Sequence, residues 1–269
     1  MPGLHYSIGD SSAESMHKAT VLVSGKTEVV VVDAGSTRAD GHRIVAELLD
    51  TGKTVTAVVI TAADPDYYFG AEVIAAAFPE VRFLAPVDVI ARIFDTFTSK
   101  LEAWAGFGVN LPTRLVNLSE LEEGAHVNIN GVSLELRRGS EHLGDRAWYL
   151  YEPRERVMLG GALLFQGLHL WTADTPTPEL RAEWRRVLQD LLSMEPSRVV
   201  AAHRAPGSLT DTSAITYTRD YLDQFEQIIS ASRTAAEAKA ALFQTYPDAG
   251  LVIAADLGTR VAKGEMTWD

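Results

Sequence analysis

The sequence predicts an α/β protein, an αβ/βα sandwich of two mixed β-sheets packed face to face with helices on the outer faces. Three observations carry that expectation. Strand and helix signals alternate through the first third, residues 115–159 read as short strands separated by turns, and helix and strand signals return after residue 177. No repeat, low-complexity tract or linker-like stretch divides the 269 residues, so one domain over 1–269 is expected, with a helical segment at about 211–263 packed on it.

Residues 16–34 hold two β-branched runs around Ser24-Gly25-Lys26, the pattern of a hairpin. A helix follows over 39–49, with Ile44, Val45, Leu48 and Leu49 at helical spacing, and Gly52 closes it before the strand 55–60. A second helix, 70–77, leads to a strand at 81–84. Pro86 then opens a third helix with Val87, Ile90, Ile93 and Phe94 on one face, and 94–111 reads as a loop, as does 164–177.

Short strands at 115–117, 126–129, 132–136, 147–151 and 157–159, with Asn130-Gly131 as a hairpin turn, predict a second, mostly antiparallel sheet. Thr177-Pro178 starts a helix whose stripe is Leu180, Trp184, Val187, Leu188 and Leu191, before a strand at 199–202. The strands ending at Ile60 and after Val199 are expected to meet at one pocket.

Composition removes several function classes. With no cysteine there is no disulfide framework, thiolate metal site or cysteine nucleophile, so any metal would need His, Asp, Glu or Tyr. A formal net charge of −12 opposes binding to nucleic acid. No apolar run approaches the length of a membrane span and no leader pattern opens the chain, which predicts a soluble, cytoplasmic protein without a membrane partner.

The chemistry-bearing stretch is Thr61-Ala62-Ala63-Asp64-Pro65-Asp66-Tyr67-Tyr68-Phe69-Gly70, between a strand and a helix. Ligand sites favour the carboxyl ends of strands. The stretch resembles the THxHxDHxxG motif of metallo-β-lactamase-fold hydrolases, with Thr61, Asp66 and Gly70 in register. The family's three histidines fall on Ala62, Asp64 and Tyr67. Its fourth falls on Glu141, with His142 one residue away, and its metal-bridging aspartate falls in Gly160-Gly161. The last histidine is matched by His203, ahead of Ala205-Pro206-Gly207. The resemblance runs from Asp33 to the Lys263-Gly264 segment and implies the fold, but with the dinuclear metal site largely dismantled.

The resemblance places Asp64, Asp66, Tyr67, Glu141 or His142, and His203 around one pocket. Three readings stay open: a single divalent metal on Asp66 and His203, a metal-free acid/base site, and an inherited concavity that only binds.

The favoured reading has no cofactor and is hydrolase-like or lyase-like. Asp66 and His203 form the acid/base pair, Asp64 and Glu141 or His142 assist, and the chemistry is hydrolysis, dehydration or isomerisation of a small organic substrate. The alternative is a non-catalytic small-molecule-binding pseudoenzyme. Tyr67, Tyr68, His169 and Trp171 are the candidate substrate contacts, whereas His5, His17, His42 and His126 read as structural or surface residues. There is room for a homodimer. Crowded carboxylates cannot all ionise freely, so Asp66 is expected to ionise beside His203 while Asp64 or Glu141 holds a proton.

Overall fold

The computed structural model describes residues 3–268; Met1, Pro2 and Asp269 lie outside it. Strand β1, His5–Asp10, was not anticipated, and it adds antiparallel to the edge of the expected hairpin formed by β2, Ala19–Ser24, and β3, Glu28–Val32. Helix α1, Arg38–Thr51, begins at Thr37, whose side chain accepts from the Asp40 amide, and ends on Gly52 at φ 62°. Strand β4, Thr54–Val59, pairs parallel with β3. The short helix α2, Pro65–Tyr68, and α3, Ala71–Ala77, lead to β5, Arg82–Ala85, parallel to β4. The unbroken valines of β3 and the Ala57–Val59 run of β4 are buried on both faces, as central parallel strands require.

Helix α4, Val87–Ala103, and a 3-10 stretch, Ala105–Asn110, occupy the segment read as a loop at 94–111. Val87 and Phe94, assigned to the apolar face of that helix, are in fact exposed, and Ile93 is the buried anchor. Strand β6, Leu118–Glu120, corrects a second expectation: it lies three residues beyond 115–117 and pairs parallel with β5, completing the first sheet instead of joining the second.

The second sheet is β7, His126–Ile129, β8, Val132–Arg138, β9, Trp148–Glu152, and β10, Val157–Leu159, antiparallel in sequence order. Asn130 and Gly131 both have positive φ, the geometry of a two-residue hairpin turn. The Asn130 Oδ1 also accepts from the amides of Thr27 and Glu28, at 2.9 and 3.1 Å, which ties the turn of one sheet to that of the other.

After β11, Phe165–Gln166, and helix α5, Pro178–Ser193, strand β12, Arg198–Val200, adds parallel to β10. The two-residue β13, His203–Arg204, pairs with β11. Helices α6, Ser213–Ala231, α7, Ala235–Thr245, and α8, Val252–Ala262, complete the chain.

Side-chain alternation in the second sheet separates two cores. Leu134, Leu136, Leu150, Val157 and Leu159 join the valines of the first sheet. Tyr149, Tyr151, Met158 and Val199 face the other way, onto Trp184, Leu188, Tyr221 and Phe225 of α5 and α6. The architecture is the expected α/β sandwich of mixed sheets. No helix among the described residues is long and apolar enough to cross a membrane.

Candidate functional site

The loop after β4 is held rigidly from below. Asp33, at φ 62°, accepts from both the amide and the hydroxyl of Thr61 through Oδ1, at 2.9 and 2.8 Å. Its Oδ2 meets the fully buried Lys18 ammonium at 2.8 Å. The Ala34 amide donates to the Tyr67 carbonyl and the Gly70 amide to the Gly35 carbonyl, fixing α2 over the first sheet. Only glycine fits at position 70, where a Cβ would stand 2.0 Å from the Ala34 carbonyl oxygen.

His203 enters from β13, just beyond the β12 strand of the second sheet, its ring stacked on Phe165 of β11 at 4.9 Å between centroids. Its Nδ1 donates to the Met16 carbonyl at 2.9 Å, and Met16 holds that carbonyl in place from a left-handed backbone. A carbonyl only accepts, so Nδ1 carries the hydrogen and Nε2 is the working nitrogen. Nε2 lies 3.1 Å from Asp66 Oδ2 and 3.3 Å from the Tyr67 hydroxyl. That hydroxyl also donates to the Gly161 carbonyl at 3.3 Å. Burial, and then the Asp66 and Asp33 carboxylates, push the Tyr67 phenol well above its ordinary pKa, so it stays a neutral donor.

The structure thus brings Asp66, Tyr67 and His203 together, nearly enclosed; Asp66 and His203 stand at the wall of a cavity of about 220 Å3, and Tyr67 lies behind them. Trp171 lines the same cavity and packs on Trp268. Tyr68 does not line it; the ring packs edge-on against Phe69 and beside Phe97 in the core. His169 is buried elsewhere, its Nδ1 2.8 Å from the Tyr221 hydroxyl, and burial lowers its pKa to about 4. A neutral, enclosed imidazole away from the cavity is a packing residue. His17, read as structural or surface, lies beside the site: burial and then His203 lower its pKa.

Glu141 and His142 do not reach the cavity. Both are exposed on a 3-10 turn, Glu141–Arg146, capped by Ser140, whose Oγ accepts from the His142 amide. Gly144, at φ 59°, turns that segment so that Arg146 enters instead. Arg146 Nη1 lies 2.7 Å from Asp64 Oδ2 and 2.6 Å from Asp174 Oδ2, and Lys100 lies 3.3 Å from Asp64 Oδ1. Burial opposes ionisation of Asp64, but Arg146 and then Lys100 outweigh it and hold its carboxyl below the ordinary range. The expectation that Asp64 keeps a proton is reversed, because two cations take its two oxygens. The raised carboxyls are Asp174 and Asp145, chiefly through burial.

Arg146 and Lys100 were missed by a search for metal-ligand and acid/base patterns, which looks past cations. A signal for Lys100 was present: Arg92, Thr96, Ser99, Lys100 and Ala103 sit at helical spacing along α4 and all line the cavity.

The model of the metallo-beta-lactamase superfamily matches residues 15–203, from before β2 to the site histidine. The chain belongs to the metallo-β-lactamase superfamily. Among solved structures, a beta-lactamase domain protein from Burkholderia ambifaria is 18% identical at TM-score 0.69, covering 98% of this chain and 85% of that one. A metallo-beta-lactamase family protein from Thermus thermophilus is 20% identical at TM-score 0.68, covering 98% and 94%. A metallo-beta-lactamase from Pontibacter korlensis is 19% identical at TM-score 0.56, covering 82% and 94%. At these identities the likeness concerns the fold. No curated protein matches the sequence.

The superfamily's pair of metal ions does not fit this donor set. Ala62 offers no donor atom, the Asp64 oxygens face Arg146 and Lys100, and Glu141 lies outside the cavity. At the bridging position Gly161 adopts φ 78°, and a Cβ there would stand 2.0 Å from the Trp148 carbonyl oxygen. Among the described residues no group of three or more His, Asp or Glu side chains is arranged to hold a metal ion. Protein purified in excess zinc and then dialysed is expected to retain fewer than two equivalents, with chelator leaving its melting temperature unchanged. Elemental analysis finding two tightly held metals per chain would contradict this.

Proposed function

We propose that this metallo-β-lactamase-fold protein is an enzyme that acts on a small organic substrate by metal-independent acid/base chemistry at Asp66 and His203. Hydrolysis, dehydration and isomerisation all suit the arrangement. The observation that carries the reading is the orientation of His203: Nδ1 is committed to the Met16 carbonyl, so Nε2 faces Asp66, Tyr67 and the cavity.

In the neutral state Nε2 accepts a proton from a substrate group or a bound water. The resulting imidazolium is stabilised by the Asp66 carboxylate and returns the proton to the departing or rearranging group. Tyr67, kept neutral, backs Nε2 at 3.3 Å without adding charge, while Phe165 stacked on the imidazole fixes its plane. Asp64 is a positioning residue for Arg146 and Lys100 rather than a proton donor.

The test is turnover of a panel of small esters, lactones, hydroxy acids and their isomers in the presence of chelator. Asp66→Asn and His203→Ala are each expected to reduce turnover about 100-fold or more, the usual scale of general acid/base assistance. Saturable binding with no turnover would instead favour a non-catalytic binding protein. Turnover abolished by chelator would sink the metal-independent mechanism.

A further inference from the structure

We propose that the cavity beside His203 takes a small carboxylate carrying a single aromatic or similarly bulky apolar group, an inference about substrate class that rests on reading this cavity as the working site.

The case begins with donors and acceptors. Lys100 has three N–H groups and uses two, on the Ala63 carbonyl at 2.8 Å and on Asp64. Arg146 makes its closest approach to both carboxylates through Nη1. Its Nε and Nη2 make no hydrogen bond among the described residues and are not sealed from solvent. Arg92, about two helical turns before Lys100 on the same face of α4, has no ion pair among the described residues.

On the acceptor side both Asp64 oxygens are engaged, which leaves Asp66, 3.1 Å from His203 Nε2, as the cavity's carboxylate without a donor of its own. Spare donors on three cations therefore face one free carboxylate, Asp66, at the His203 end of the cavity, and the Arg92, Lys100 and Arg146 end selects a group that only accepts. A carboxylate matches the guanidinium fork with two coplanar oxygens.

Charge placement agrees. The chain carries a formal net charge of −12, yet Arg92, Lys100 and Arg146 line this cavity against Asp64 and Asp66; the same cations also border the neighbouring recess, where Arg146 meets Asp174. A cluster of three cations in a molecule of net negative charge is a local departure from the overall field, and it is there that an anion would dock.

Much of the remaining lining is apolar: Trp104, Phe165, Trp171, Leu251 and Trp268. Volume limits what fits against it. A cavity of about 150 Å3 holds one benzene, so about 220 Å3 takes one ring with a short acid tail.

Three of the chain's tryptophans line the cavity, so ligand binding can be read by intrinsic fluorescence and confirmed by calorimetry. The probes are 3-phenylpropionate, 3-phenylpropan-1-ol and 3-phenylpropylamine, equal in shape and different in charge. The acid is expected to bind about tenfold more tightly than the alcohol, corresponding to about 1.4 kcal/mol. Arg92→Ala should weaken the acid about fivefold and leave the alcohol within twofold.

Equal affinity for acid and alcohol, tighter binding of the amine, no saturable binding of the acid, or indifference of the acid to Arg92→Ala would each overturn the inference. Repeating the titration with Asp66→Asn separates the two claims. Retained acid binding in a protein that shows no turnover of any kind leaves the ligand class standing and the catalytic reading fallen. Turnover of neutral substrates without acid binding does the reverse.

Discussion

Replacing Lys18 with methionine is expected to lower the unfolding free energy by about 3–5 kcal/mol, the scale for removing one partner of a buried ion pair. Lys18 is 0% exposed and Asp33 1%, and the ammonium also donates to the Ala19 carbonyl and lies 4.2 Å from the Tyr67 ring centre. Methionine keeps most of the stem but leaves Asp33 Oδ2 charged and unpaired in the core.

The same change propagates to the site. Asp33 holds Thr61, the Thr61 hydroxyl accepts from the Gly161 amide at 2.8 Å, and the Gly161 carbonyl receives the Tyr67 hydroxyl. Urea denaturation checks the prediction, and adding Asp33→Asn to Lys18→Met should restore part of the loss because the stranded charge is gone. A loss below about 1 kcal/mol for the single variant would mean that the pair contributes little.

Arg146→Met is expected to cost about 2–3 kcal/mol at neutral pH. This is less than for a fully enclosed pair, because Asp64 and Asp174 keep some exposure and solvent screens them. Its pH dependence is the sharper signature. In the native protein the Asp64 carboxyl sits below its ordinary pKa, so its contribution is present above the unfolded value of about 4 and is lost as pH falls through the folded one.

Without Arg146, burial at Asp64 is opposed only by Lys100, and the already raised Asp174 carboxyl rises further, so both move toward higher pKa. The variant then gains protons on folding between neutrality and about pH 5, and its deficit should shrink on acidification. Denaturation at about pH 7.5 and about pH 5.5 reads the difference. A deficit that stays constant or grows between those two values would show that Arg146 does not hold these carboxylates ionised.

Much of the fold was legible along the chain. The hairpin of β2 and β3, the helix capped by Thr37 and closed by Gly52, the Asn130-Gly131 turn and the stripe of α5 are local patterns. Each follows from side-chain period, capping chemistry and backbone preference over a few residues. Strand β6 was displaced, because a three-residue strand carries too little alternation to mark its bounds or its sheet. Strand β1 was overlooked, because its burial pattern is mixed at an exposed edge.

The sequence by itself determined the two-sheet architecture, the loss of histidines at positions 62, 64 and 67, and the retention of Asp66 and His203, since periodicity and motif register are properties of neighbours in the chain. Only the tertiary structure decided what surrounds Asp64. Arg146 lies 82 residues away and Lys100 36, and which of the charges at 141–146 turns inward depends on the left-handed Gly144 rather than on residue type. The protonation of the site followed from that choice. A carboxylate crowded among acids holds a proton, whereas the same carboxylate between a guanidinium and an ammonium gives it up, and composition alone does not say which neighbours it will meet.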